Sequence, residues 1–235
     1  MTYRITAVVE AGYRFKGWYN NANGTGDALY TNEVYEIGHI TADTTIWAIA
    51  EPLEYTVTLN ANSGQFTSGS TTTITATYKE NMPALSDDKK PTRVGYTFAG
   101  FYDLASGGNK YYNADFTSAR VWDKTESATL YAHWTAKTTT ITLTGIEDWT
   151  RDSSMTSDTI TITNGTSDFM QGSMKVTPVY TRDGYTFGGF FYGDGCIISS
   201  HGTINKGTSF TNSGNPVIWT TDVTELTLEL RGNVN

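Results

Sequence analysis

The sequence predicts a mainly β protein, α+β at most, and three observations carry that prediction. Aromatic residues make up 13% of the 235 positions and charged residues only 17%. There are 42 threonines by direct count, and Thr, Tyr, Trp, Phe, Val and Ile all favour a pleated, half-buried surface. An octapeptide of the form G-Y-x-F-x-G-[WF]-[YF] occurs three times, starting at Gly12, Gly95 and Gly184. The segments around it alternate apolar and polar residues with period two, and no strong 3.6-residue pattern is present anywhere.

Near-equal spacing of so specific a phrase divides the chain into three tandem units, placed at 1–52, 53–136 and 137–235. Each octapeptide is a strand, and its sixth residue (Gly17, Gly100 or Gly189) marks a bulge or a close backbone approach. Strict alternation puts Tyr96, Phe98 and Gly100 on one side and Thr97, Ala99 and Phe101 on the other. Unit one closes with a strand at Asp43–Ala50, unit two at Ala128–Trp134 and unit three at Val223–Leu230.

Unit two is the most complete. Tyr55–Asn62 opens it, Asn62-Ser63-Gly64 turns it, and Ser70–Tyr78 returns. Two prolines and the cluster Asp87-Asp88-Lys89-Lys90 place a loop over Lys79–Arg93, and Tyr111–Lys124 is predicted as a short helix with Tyr112, Phe116 and Val121 inward. Unit three opens at Thr139–Leu143 and carries extra material from Asp152 to Met174, including a second strand-like run at Asp158–Thr163. The linkers, Glu51–Glu54 and Thr135–Thr138, are short enough to restrict the angles between neighbours. Unit one has only Tyr3–Val9 ahead of its octapeptide, so an open strand edge is expected there, left by excision from a longer protein or covered by a partner.

These phrases resemble the Listeria–Bacteroides repeat, the internalin-type B repeat, whose pattern is roughly Y-T-V-T-[FL]-N-A-N-G-G…R-x-G-Y-T-F-x-G-[WF]-Y…T-L-Y-A-x-W. The resemblance is strongest over residues 54–135: Tyr55–Gly64, Arg93–Tyr102, Gly107-Gly108 and Thr129–Trp134. Unit one is similar to a divergent form of the repeat, through Ile5-Thr6-Ala7, Gly12–Trp18 and Asp43–Ala48. Residues 138–235 match loosely, closing with Leu228-Glu229-Leu230 in place of Tyr-Ala-x-Trp. The resemblance implies small β-grasp-like units with a helix or helical turn across each sheet, the first unit truncated. It implies an extracellular bacterial setting in surface proteins and adhesins, with no catalytic residues.

Charge and composition exclude several classes. The net charge of −8 repels phosphate backbones and anionic lipid, so no nucleic-acid partner is expected. No apolar run is long enough to span a membrane, and Met1–Phe15 lacks the apolar core of a secretory signal. The single cysteine, Cys196, excludes an internal disulfide framework and a multi-cysteine zinc site.

The chemistry-bearing residues form no recognised constellation. His39, His133 and His201 lack paired spacing, and His133 is placed on a strand surface. Asp194, Cys196 and His201 lie close in sequence, but a small apolar residue beside a hairpin explains Cys196 without a nucleophile. Asp152, Asp158 and Asp168 lack the order of a calcium loop. No catalytic, cofactor-binding or metal residue is therefore assigned, and no cofactor is expected. Trp122, Trp149 and Trp219 have no equivalents in the other units, so they are the first places to look for glycan or partner contact, although core packing is the leading explanation because buried aromatics dominate small β cores.

The expectation is a non-enzymatic tandem-repeat segment of a bacterial cell-surface protein, a stalk or adhesion module meeting protein or glycan on a host or neighbouring surface. One alternative is a structural protein of a bacteriophage particle or surface filament, starting natively at Met1 and assembling by strand exchange through the open edge. Another is a carbohydrate-binding module of an exported glycan-active protein.

Overall fold

The computed structural model describes residues 2–235, and nearly all its regular structure is strand. By Cα proximity the chain divides into two compact units, one of residues 1–91 and 99–133, the other of residues 92–98 and 134–235.

In the first compact unit, β1 (Tyr3–Thr6) pairs antiparallel with β3 (Val34–Ile37), and the octapeptide strand β2 (Tyr13–Tyr19) pairs antiparallel with β4 (Trp47–Pro52). After a single residue, Leu53, the next sheet begins. It comprises β5 (Glu54–Asn60), β6 (Thr71–Thr77), β7 (Tyr96–Tyr102), β8 (Lys110–Tyr112) and β9 (Ala128–Ala136), in the order β6-β5-β9-β7-β8. Its opening and closing strands run parallel at the centre, with Val57 opposite Ala128 and Leu59 opposite Leu130. Val57, Leu59, Leu130 and Ala132 are fully buried, and their threonine neighbours turn outward. Each large aliphatic side chain so buried contributes about 1.5–3 kcal/mol.

After Lys137, the chain builds the same strand plan again in the second compact unit. Its strands are β10 (Thr138–Thr144), β11 (Thr150–Arg151), β12 (Thr159–Thr163), β13 (Phe169–Gln171), β14 (Met174–Val176), β15 (Tyr180–Thr181), β16 (Tyr185–Tyr192), β17 (Gly195–Ser199) and β18 (Glu225–Val234). The main sheet runs β14-β13-β12-β10-β18-β16-β17. Its last five strands reproduce the β6-β5-β9-β7-β8 order, again with a parallel centre: Ile141 is opposite Leu226, and Leu143 opposite Leu228. The insertion read from the sequence extends the sheet at the β12 edge as β13 and β14. Ile141, Ile160, Ile162, Phe190, Trp219 and Leu228 form the dry centre of this core.

The octapeptide departs from simple alternation for a local reason. The register shifts between Phe15 and Gly17 in β2 and between Phe187 and Gly189 in β16. A bulge sets two residues against one and reverses the side-chain phase. Aromatics three apart therefore meet: Phe15 and Trp18 lie 5.7 Å apart and Phe187 and Phe190 5.6 Å apart, both edge to face. Phe101, expected opposite Phe98, is buried as Phe98 is.

The helix expected over Tyr111–Lys124 is absent. The segment starts as β8, then turns, with Phe116 at φ 66° and Asp115 Oδ1 accepting from both the amide and the hydroxyl of Thr117. Such local side-chain bonds compete with helix formation. Tyr112 is buried as expected, but Tyr111 and Trp122 take the other core positions while Phe116 and Val121 stay half-buried. The one helical turn among the described residues is a 3-10 turn at Asp87–Lys89, in the segment whose Met82 and Leu85 are buried.

Three buried tyrosines make the fold sensitive to alkali. Burial raises the Tyr111, Tyr112 and Tyr180 hydroxyls above their ordinary value, and for Tyr111 and Tyr180 the bonded carboxylates of Asp123 and Asp158 add to it. The unfolded chain releases these protons near pH 10 and the folded chain holds them, so stability is full below about pH 10 and falls as pH rises above it. Thermal melts from pH 8 to 11 are expected to show this decline, and Tyr112→Phe to flatten it. An unchanged slope in that variant would contradict the assignment.

Candidate interaction surfaces

The three singled-out tryptophans have different fates. Trp122 is fully buried, its backbone bonded to Glu80 and Lys79 and its ring 5.5 Å from that of Tyr111. Trp219 is fully buried too, stacked on Phe210 at 5.5 Å, with Nε1 donating to Thr139 Oγ1 at 2.8 Å. Neither ring presents a face to a ligand in this conformation. Trp149 is half-buried, 5.9 Å from Tyr185 and 6.2 Å from Phe187. It alone of the three keeps accessible ring surface.

The residues that bear chemistry have separate partners. Cys196 Sγ donates to the carbonyl of Ile198 at 3.3 Å, and burial raises its thiol pKa. His201 bonds locally to Ser199 and Ser200, while Asp194 faces Arg231. The nearness of these three in sequence therefore does not become a bonded triad. Asp152 caps the Ser154 amide, Asp158 holds Tyr180 and Arg151, and Asp168 pairs with Lys175 at 2.7 Å. His133 stacks on Tyr102 at 3.9 Å, its Nε2 2.9 Å from the Leu104 carbonyl oxygen. His39 lies exposed in a loop.

Sequence reasoning missed one surface. In the first compact unit an open cleft of about 910 Å³ is lined by Val9, Arg14, Phe15, Tyr30, Asn32 and Glu33, among others. Tyr30 is 40% exposed and stacks on Tyr35 at 5.2 Å with nearly parallel rings. Arg14 bonds Glu51 at 2.6 Å. A ring pair with one exposed and one half-buried member, flanked by amide and charged groups, suits a polar, ring-bearing ligand. The available signal was two tyrosines five residues apart, Tyr30 ahead of β3 and Tyr35 within it, a spacing that periodicity does not detect. A smaller recess of about 460 Å³ in the second compact unit is lined by Phe169, Lys175, His201 and Ile204.

The recurrent five-strand order and the bulged aromatic strand define a tandem β-repeat protein. The model of the Listeria-Bacteroides repeat domain matches residues 2–49 and 55–133, over half of the chain, and the protein belongs to that family. The match stops at residue 133, ahead of the second large sheet, whose last five strands follow the same order. Internalin H of Listeria monocytogenes serovar 1/2a is 32% identical over 131 residues, 55% of this chain and 20% of that protein. A protein of Evansella cellulosilytica described as a Gly-rich membrane protein is 26% identical over 127 residues, 54% of this chain and 13% of that protein. The chain thus spans a fifth or less of these relatives. No solved structure matches. Among the described residues no helix is long and apolar enough to cross a membrane.

Proposed function

We propose that this chain is a non-enzymatic repeat segment of a bacterial cell-surface protein, working outside the cell as a stalk or adhesion module. The observation that carries the proposal is the recurrence of one sheet plan along the chain, with a single residue between successive sheets at Leu53 and Lys137. Short connections hold repeats at restricted angles, and repetition multiplies weak contacts without a deep site. The similarity to Internalin H supports the surface setting. On this reading the chain divides into three repeats, at 1–52, 53–136 and 137–235, and the parallel central strands support a β-grasp-like kinship. The partner would be a protein or glycan on a host or neighbouring surface, met through the exposed ring of Tyr30 and the half-buried rings of Tyr35 and Trp149.

A second reading is self-association. It rests on β4, which has β2 as its one sheet neighbour among the described residues, whereas β9 and β18 each lie between two strands. Light scattering on the purified chain separates the two. A monomer at 25.8 kDa that is retained on immobilised glycans or mucin is expected for an adhesion module. A defined oligomer or growing polymer would replace that reading with assembly through the β4 edge.

A further inference from the structure

All three octapeptides begin with the same turn. The amide of Tyr13 donates to Glu10, that of Tyr96 to Arg93 and that of Tyr185 to Arg182, each at 3.1 Å. The glycine inside each turn has positive φ: 91° at Gly12, 78° at Gly95 and 75° at Gly184. Its carbonyl then accepts the amide of the residue just beyond the closing strand: Leu53 at 2.8 Å, Lys137 at 2.8 Å and Asn235 at 3.0 Å.

At the first two glycines a further layer is present. The Leu53 carbonyl accepts the Tyr78 amide and the Lys137 carbonyl accepts the Asn164 amide, both at 2.9 Å. Tyr78 and Asn164 each lie just past the second strand of the hairpin that follows, and their side chains cover the glycine. A Cβ added to Gly12 would lie 2.4 Å from the Tyr78 ring, and one added to Gly95 2.2 Å from Asn164 Oδ1. The Gly95 amide also donates to Asp222 Oδ1 at 3.1 Å, and the same carboxylate pairs with Lys137 at 2.8 Å.

Gly184 keeps the turn, the positive φ and the bond from Asn235, yet nothing lies within 4 Å of its added Cβ. The platform beside it is also kept, since Arg182 stacks on Tyr185 at 4.2 Å as Arg93 does on Tyr96 at 3.7 Å. We propose that the Gly184 turn is a docking seat for the opening hairpin of one further repeat of this type, joined through Asn235 as the linker residue. The occupant is specified by what covers Gly12 and Gly95: a side chain following the hairpin's second strand, its amide donating to the Asn235 carbonyl. In a repeat like the third, a carboxylate equivalent to Asp222 would also take the Gly184 amide. The proposal deepens the stalk reading but rests on the recurrent joint, so either can fail without the other.

The test appends a second copy of residues 138–235 directly after Asn235 of the full chain and follows amide hydrogen exchange. The Gly184 amide is expected to exchange at least tenfold more slowly in the extended chain, with Gly95 unchanged. Gly184→Ala should abolish that protection, because its Cβ would occupy the space of the covering side chain. If the appended strands are themselves unprotected, a copy of residues 54–136, which brings Tyr78, is used instead, with slowed exchange of the Asn235 region as the readout. A folded appended repeat that leaves exchange at Gly184 and Asn235 unchanged would overturn the proposal, whatever mass light scattering gives for the 235-residue chain.

Discussion

Gly189→Ala is expected to destabilise the third repeat by about 3 kcal/mol or more, one of the largest effects of any single methyl group in this chain. Gly189 has φ 113°, so alanine is strained there before any contact is considered. Its new Cβ would also lie 2.3 Å from the Ile198 carbonyl oxygen. That oxygen belongs to the backbone of β17, so relief requires moving a strand rather than turning a side chain. Gly100→Ala should be nearly as severe, with Cβ 2.5 Å from the Tyr112 carbonyl oxygen. Gly17→Ala should be the mildest, because its nearest backbone atom is the Tyr30 carbonyl oxygen at 3.0 Å. For a unit of this size, about 3 kcal/mol lowers the melting midpoint by roughly 12 °C or more. Because a chain of several units need not unfold in one step, residue-resolved hydrogen exchange within each repeat is the appropriate readout. A Gly189→Ala protein whose β16 and β18 amides exchange at wild-type rates would refute this account of the bulge.

The same glycine shows where the sequence was informative. A bulge favours glycine at its site, so the octapeptide, with Gly17, Gly100 and Gly189 at one position, marked three strands. The phase reversal was invisible to alternation, and Phe101 was therefore assigned to the face opposite Phe98. The parallel pairing of Val57 with Ala128 joins residues far apart in the chain and leaves no local pattern. The third repeat closes with Leu226, Leu228 and Leu230 instead of Tyr-Ala-x-Trp, yet keeps the same register because alternating apolar residues fill the same inner face. The Tyr111–Lys124 segment was misjudged because apolar spacing was weighed without the side chains of Asn113, Asp115 and Thr117, which hydrogen-bond locally instead. Rarity made the three unmatched tryptophans conspicuous, but it carries no information about burial. The Tyr30–Tyr35 pair depends on where the bridge of Tyr30 to Trp18 and the strand β3 of Tyr35 bring the two rings, which no periodicity encodes.

Burial therefore changes what a tryptophan substitution reports. Trp219→Ala is expected to cost about 4 kcal/mol, within the range for removing a fully enclosed large aromatic. Its ring stacks on Phe210, and its backbone makes two bonds to the turn below, with the Gly165 amide donating to the Trp219 carbonyl and the Trp219 amide donating to Thr166. The loss would leave a cavity between this loop and the β12–β13 turn that carries Gly165 and Thr166. The indole bond adds less, because Thr139 Oγ1 still donates to the Val223 carbonyl at 2.6 Å without it. Any loss of glycan retention in Trp219→Ala would then follow from loosened packing, whereas Trp149 is half-buried, so lost retention in Trp149→Ala reports contact only where its denaturation midpoint stays at the wild-type value. The Phe variants sharpen the comparison. Trp122 Nε1 is buried without a hydrogen-bond partner, so Trp122→Phe removes an unpaired donor and recovers part of the packing it loses. Trp219→Phe breaks a satisfied bond and recovers nothing. Denaturant titration followed at each repeat should thus rank Trp219→Ala as most damaging, then Trp219→Phe, then Trp122→Phe. A Trp219→Ala chain within 1 kcal/mol of wild type would show that this ring is not the anchor its contacts describe.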